Sequence, residues 1–168
     1  MRHGEAVQDS EPDHARALTN FGKAQCEHVG KWLDENLSNF EHQSATSSAK
    51  ISLALVSPYL RAQQTCRAVN KSIHIAQQIT IDAVTPLASA NQAADLIHGY
   101  ASDSHAPKSM LVVTHMPLVS LLADKVCSGF NAQYFDTADT LIIDYDEHTG
   151  VGSQLAFYQG IDEQKEAN

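Results

Sequence analysis

The run Met110-Leu111-Val112-Val113-Thr114 is the strongest strand signal in the chain of 168 residues. It shows no alternation of apolar and polar residues, so both faces of such a strand are expected to be buried. A strand buried on both faces belongs to a sheet with helices packed on either side. His115 follows at its end.

The rest of the chain agrees with that architecture. Ile51–Ser57 is a second short apolar run, stopped by Pro58, which is well placed to open a helix over about 59–71. Phe21, Gln25, Val29, Leu33 and Leu37 recur at helical spacing behind Thr19, a good N-cap, and predict a helix over 20–37. Residues 78–83 read as a strand and 91–100 as a helix with Ala94, Leu96 and Ile97 inward. Leu118–Val126 reads as an apolar helix, and 141–145 and 154–158 as two last strands joined around Thr149-Gly150. Residues 5–17 and the Ser-, Asn- and Gln-rich 38–50 read as loops. The expectation is an α/β protein: one three-layer domain over 1–161 with a mostly parallel central sheet and helices on both faces, followed by a polar tail at 162–168.

The net charge of -9 argues against nucleic acid as a partner, and an acidic body is repelled by anionic membranes. No apolar run reaches membrane-spanning length. Cys26, Cys66 and Cys127 are far apart and lack CxxC spacing, which points to reduced thiols in a cytoplasmic protein. The nine histidines show neither HxxxH nor HExxH, so neither a metal nor another cofactor is expected.

The chemistry-bearing residues sit where strands end. Arg2 offers a planar fork of donors that fits a phosphate, and His3 beside it is a nucleophile near physiological pH. Gly4 allows close approach of a ligand. Arg61 opens the helix after the strand at 51–57, and His115 ends the strand at 110–114. In doubly covered sheets ligands bind beyond the carboxyl ends of the strands, so these distant residues are expected to converge. Each alone has an ordinary alternative: Arg61 as a surface arginine, His115 as a core histidine, Arg16 as the partner of Asp13 or Glu11, and Glu5 as an exposed loop acid.

Four blocks appear in order: Arg2-His3-Gly4-Glu5, Leu18-Thr19 with Gly22, Ser57-Pro58-x-x-Arg61-Ala62-x-Gln64-Thr65, and Val113-Thr114-His115-x-Pro117. This set resembles the histidine phosphatase superfamily, with a phosphoglycerate mutase-like fold. The short length and the wording Thr114-His115-Met116-Pro117-Leu118-Val119 are similar to its SixA branch, the phosphohistidine phosphatases. The resemblance implies that His3 is the nucleophile that becomes phosphorylated. It implies that Arg2 and Arg61 clamp the phosphoryl oxygens and that His115, expected as a cation, donates to the same oxygens. Arg16 is implied as a further phosphate contact. His3 must keep one ring nitrogen unprotonated, which is expected to follow from donation of the other proton to a backbone carbonyl.

Mutase-like relatives carry a glutamate acid after the third strand, whereas residues 83–89 here read Ala-Val-Thr-Pro-Leu-Ala-Ser, with Asp82 nearby. Phosphohistidine has a better leaving group than an alkoxide, which fits this gap. The expected function is therefore hydrolysis of phosphohistidine on a phosphotransfer protein by a monomer. The alternatives are a small-molecule phosphomonoesterase of the same superfamily and a non-catalytic phosphate-binding module. The family pattern also has an apolar strand ahead of Arg-His-Gly, where this chain has only Met1. A shortened first strand, unpaired neighbouring backbone and looser positioning of His3 are the expectation.

Overall fold

The computed structural model describes residues 1–8, 11–40 and 50–161. In chain order it contains α1 (Asn20–Phe40), β1 (Lys50–Ile51), β2 (Leu53–Val56), α2 (Leu60–Val69), β3 (His74–Ile75) and β4 (Gln78–Thr80). These are followed by α3 (Ala90–Ala101), β5 (Met110–Val113), α4 (Leu118–Val126), β6 (Thr140–Asp146) and β7 (Val151–Tyr158).

Strands β4, β2 and β5 form a parallel sheet in that order, with Leu53 opposite Met110 and Val56 opposite Val113. The unalternating apolar runs are explained by their neighbours. Ala54 and Val56 point into a cluster with Cys26, Val29 and Leu33 of α1 and Ala62, Cys66 and Val69 of α2. Leu53 and Leu55 point the other way, against Ala93 and Ile97 of α3 and Leu118, Leu122 and Val126 of α4. Each strand residue thus loses water on whichever face it occupies, and that burial drives the three-layer arrangement. The opposite flank of α4 packs Val119, Ala123 and Cys127 against Phe130 and Phe135.

The start of the chain lies inside the sheet. The backbone of Thr114 donates to Met1, and His3 donates back to Thr114, giving a parallel bridge between Arg2 and Thr114. On the other side Arg2 donates to Asp139, and Ala138 donates to His3. Residues 1–3 therefore connect β5 to the head of the antiparallel β6–β7 hairpin. The backbone of His3 is paired on both sides, contrary to the loose positioning expected for it. The Met1 amine donates to the Val112 carbonyl at 2.7 Å. Burial pulls its pKa down to about 5 against the attraction of Asp139, so no full charge stands beside Arg2 at neutral pH. Beyond Met1 a cavity of about 1660 Å³ opens between β5 and β6, lined by Met110, Leu111, Val112, Leu141 and Ile142 among others.

Several element bounds differ from the sequence reading for local reasons. Helix α1 continues through Ser38–Phe40, where Phe40 packs 6.2 Å from Trp32. The remainder of the loop expected at 38–50, residues 41–49, lies outside the described residues, as does the tail at 162–168. The strand expected at 51–57 breaks at Ser52, whose N–H turns to the Ser109 hydroxyl. Its first part, β1, pairs with β3, a strand the sequence reading lacks. The strand at 78–83 stops at Thr80, and Asp82–Val84 forms a short 3-10 turn that buries Val84. A second 3-10 turn, Asp13–Ala15, stands in the loop at 5–17. Helix α2 ends at Val69, and the final hairpin is longer than expected at both strands.

Candidate active site

The four blocks meet at the carboxyl ends of the strands, and hydrogen bonds between the blocks hold them there. Leu18 donates to the Gln64 side chain at 2.7 Å, and Thr19 donates to the Glu5 carbonyl. Thr19 caps α1 by accepting from Gly22, and its hydroxyl donates to the Glu5 carboxylate at 2.7 Å. Gly4 donates to the Thr65 hydroxyl at 3.0 Å, which in turn donates to the Arg61 carbonyl at 2.7 Å. A side chain at Gly4 would overlap the Gly22 carbonyl and the Cys26 sulfur. Glycine is needed because the segment behind His3 lies directly on α1.

His3 is buried, and its Nδ1 donates to the Gly4 carbonyl at 2.7 Å. A carbonyl only accepts, so Nδ1 carries the proton and Nε2 keeps its lone pair. Nε2 faces Arg61, whose Nε–H donates to it at 3.2 Å. Burial holds the His3 pKa down to about 3, and the guanidinium groups of Arg61, Arg2 and Arg16 push the same way against the Gly4 carbonyl. His3 is thus a neutral imidazole with its tautomer set by the backbone.

Arg61, buried at the start of α2, lies over the Tyr59 ring at 4.7 Å. Its terminal nitrogens donate to the Asp13 carbonyl at 2.7 Å and the Asp13 carboxylate at 3.1 Å. Arg2 donates to the Phe135 carbonyl at 2.6 Å and the Tyr134 hydroxyl at 3.0 Å, while its Nε is buried without a partner among the described residues. The His115 ring stands 5.0 Å from that of His3. His115 Nε2 is bonded to the Ser57 hydroxyl at 2.7 Å, and its Nδ1 is buried without a described partner.

The expected cationic His115 is one with an anionic phosphate beside the ring, which raises a histidine's pKa; the protein's own groups act the other way. Burial pulls its pKa down to about 2, and His3, Arg61, Arg2 and Arg16 add to the effect. The protein's own groups thus favour the neutral imidazole at His115. Arg16 stands at the margin: it donates to the Val7 carbonyl at 2.7 Å and pairs with the Asp13 carboxylate at 3.0 Å. Its ordinary alternative, a loop pair with Asp13, is present in the structure, although its charge reaches both histidines. Glu5 is held by Thr19, and Asp82 is exposed.

Asp13 is the residue that sequence reasoning did not place in the site. Its spacing from Arg16 signals one ion pair, but its grip on Arg61 joins positions 48 apart in sequence. The contacts of Arg2 with Tyr134 and Phe135 span still longer distances along the chain. Among the described residues no three His, Cys, Asp or Glu side chains are grouped to hold a metal ion. The three cysteines are free and buried, and burial raises the thiols of Cys26 and Cys66 to about 11. No helix among the described residues is long and apolar enough to cross a membrane.

No family model matches the chain. Individual relatives do. The chain is 34% identical over 122 residues to the phosphohistidine phosphatase SixA homolog of Haemophilus influenzae, covering 71% of this chain and 70% of that protein. It is 28% identical over 148 residues to phosphohistidine phosphatase SixA of Escherichia coli, covering 88% of this chain and 84% of that one. The solved structure of the protein histidine phosphatase SixA complexed with tungstate superposes with a TM-score of 0.82 at 26% identity, over 95% of this chain and 94% of that chain. With the ordered blocks, the parallel sheet and the paired histidines and arginines, these likenesses place the chain in the SixA family of histidine phosphatases.

Proposed function

We propose that this chain is a phosphohistidine phosphatase that works through a covalent phosphoryl group on His3. The observation that carries the reading is the state of His3. Its Nδ1–H is committed to the Gly4 carbonyl, and its Nε2 lone pair lies in a buried pocket with Arg61 and His115.

Phosphoryl transfer needs positioning and neutralisation of the three equatorial oxygens more than covalent help. Arg2 and Arg61 offer charge-assisted donors, and His115 adds a neutral one. Arg16 lies one ion pair away through Asp13, close enough to attract the anion. His3 Nε2 attacks phosphorus in line as the substrate's N–P bond breaks, and the substrate imidazole, already protonated on its other ring nitrogen, departs neutral. Water then attacks the phosphoryl group on His3, the new N–P bond breaks, and inorganic phosphate leaves.

The substrate reading rests on the leaving group. No glutamate stands at 83–89, Glu5 is engaged by Thr19, and Asp82 faces solvent. A protonated imidazole departs without the dedicated acid that an alkoxide requires. We therefore assign a phosphohistidine-bearing phosphotransfer protein as substrate.

Mass spectrometry after a brief quench without acid, with a phosphohistidine protein as donor, tests this function. A phosphoryl group on His3, absent from His3→Ala, is expected. A folded wild-type protein that takes no label and releases no phosphate overturns it in favour of a binding module. Faster turnover of small phosphate esters than of phosphohistidine overturns the substrate reading.

A further inference from the structure

The hydroxyl of Ser57 is fully buried at the carboxyl end of β2, immediately before the Pro58 turn that leads into α2. Its oxygen lies 2.7 Å from His115 Nε2 and accepts a longer contact, 3.4 Å, from the Tyr59 backbone N–H. A hydroxyl has a single proton to give. With the Tyr59 N–H donating to the Ser57 oxygen, the hydroxyl proton is free to go to His115 Nε2. The opposite arrangement would have His115 donate from Nε2, which leaves Nδ1 as a bare lone pair in a pocket built for an anion. It would also give the Ser57 oxygen two donors and leave its proton without an acceptor among the described groups. Buried polar groups without partners are costly, which disfavours that arrangement.

From this geometry we infer that Ser57 is a positioning residue, whose hydroxyl donates to His115 Nε2 and so fixes the tautomer in which Nδ1–H is the donor offered to the phosphoryl oxygens. The inference rests on the phosphatase reading of the same pocket. It gives each histidine its own tautomer lock. The Gly4 carbonyl takes the His3 proton so that Nε2 can attack, and the Ser57 hydroxyl fills the His115 lone pair so that Nδ1 can donate. Two neutral imidazoles 5.0 Å apart thereby take opposite roles without either having to be charged. A residue that both accepts and donates at this spot does this, and Thr is the replacement that keeps the hydroxyl.

Long-range proton–nitrogen correlation spectra of the 15N-labelled protein at pH 7 read the tautomer directly. The His115 ring is expected to show the Nδ1–H pattern in wild type and to lose it in S57A. In phosphohistidine hydrolysis, S57A is expected to lower kcat about 10- to 100-fold with KM within about threefold, and S57T to recover most of the loss. An Nε2–H pattern for His115 in the wild-type protein overturns the inference, as does wild-type kcat in a folded S57A. The wild-type spectrum decides the matter even if a variant fails to fold. Because it needs no turnover, it also separates failure of this inference from failure of the phosphatase reading, which a wild-type protein without hydrolysis would signal.

Discussion

Arg61 Nε donates to His3 Nε2 at 3.2 Å, so the proposed clamp and the proposed nucleophile are in direct contact. This bond occupies the lone pair that attacks. An incoming phosphoryl oxygen that takes over the Arg61 N–H releases Nε2 in the same movement. On the proposed function, binding and exposure of the nucleophile are expected to be one event.

Asp13 orients Arg61 from the side opposite His3, through both its carbonyl and its carboxylate, and holds Arg16 with its other oxygen. Replacing Asp13 by Ala is expected to lower kcat/KM about tenfold, because both arginines lose the carboxylate while Arg61 keeps only the backbone carbonyl of residue 13. The half-exposed pair adds no more than about 1 kcal/mol to stability, so Tm should move little. Steady-state kinetics and a thermal melt check both halves, and unchanged kinetics would show that Asp13 does not position the clamp.

Gly4→Ala places a methyl group against the Gly22 carbonyl and the Cys26 sulfur. Backbone on one side cannot yield cheaply, so the segment carrying His3 must shift. A loss of about 1–3 kcal/mol by chemical denaturation and a fall in kcat are the expected outcomes. A variant with wild-type stability would mean that α1 gives way instead.

The pH dependence of stability follows from three buried bases. Burial is the largest cause of each shift: Met1 amine from 8.0 to about 5, His3 from 6.5 to about 3, and His115 from 6.5 to about 2. Folded-state values lie below unfolded ones, so the unfolded chain binds more protons, and stability rises with pH through these windows. The three contributions are fully present above about pH 8 and fall away on acidification, with about two protons taken up on unfolding at pH 5. Denaturant midpoints at pH 8, 6.5 and 5 should decrease in that order, and a flat profile would show that these groups are not desolvated.

The cavity between β5 and β6 continues the line of residues 1–3. Four or five apolar residues fused ahead of Met1 are expected to fill part of it as added strand and to remove the buried amine. Tm should rise by at least about 4 °C, measured by differential scanning calorimetry. No rise would show that the space does not take a strand.

The residues that meet in the pocket were legible because apolar runs mark strand ends, and strand ends mark the side on which ligands bind. Val56 and Val113 close their strands just before Ser57 and Thr114, and Arg61 and His115 follow at once. The layers were legible for the same reason, since runs without alternation require cover on both faces. Asp13 was not, because its bond to Arg61 joins positions that no local spacing connects. The burial of His115 was not either, because Tyr59 and His3, which pack against its ring, lie far from residue 115 in sequence. The split of 51–57 at Ser52 turned on one bond to Ser109, which no propensity encodes.

His3 to Arg61 spans 58 residues, as does Ser57 to His115, and Arg2 reaches across 133 to Phe135. Closing such long loops is entropically slow compared with winding the helices between them. The pocket is therefore expected to close late in folding. During refolding, turnover is expected to lag behind the return of helical circular dichroism, which makes catalysis itself a reporter of when the last long-range contacts close.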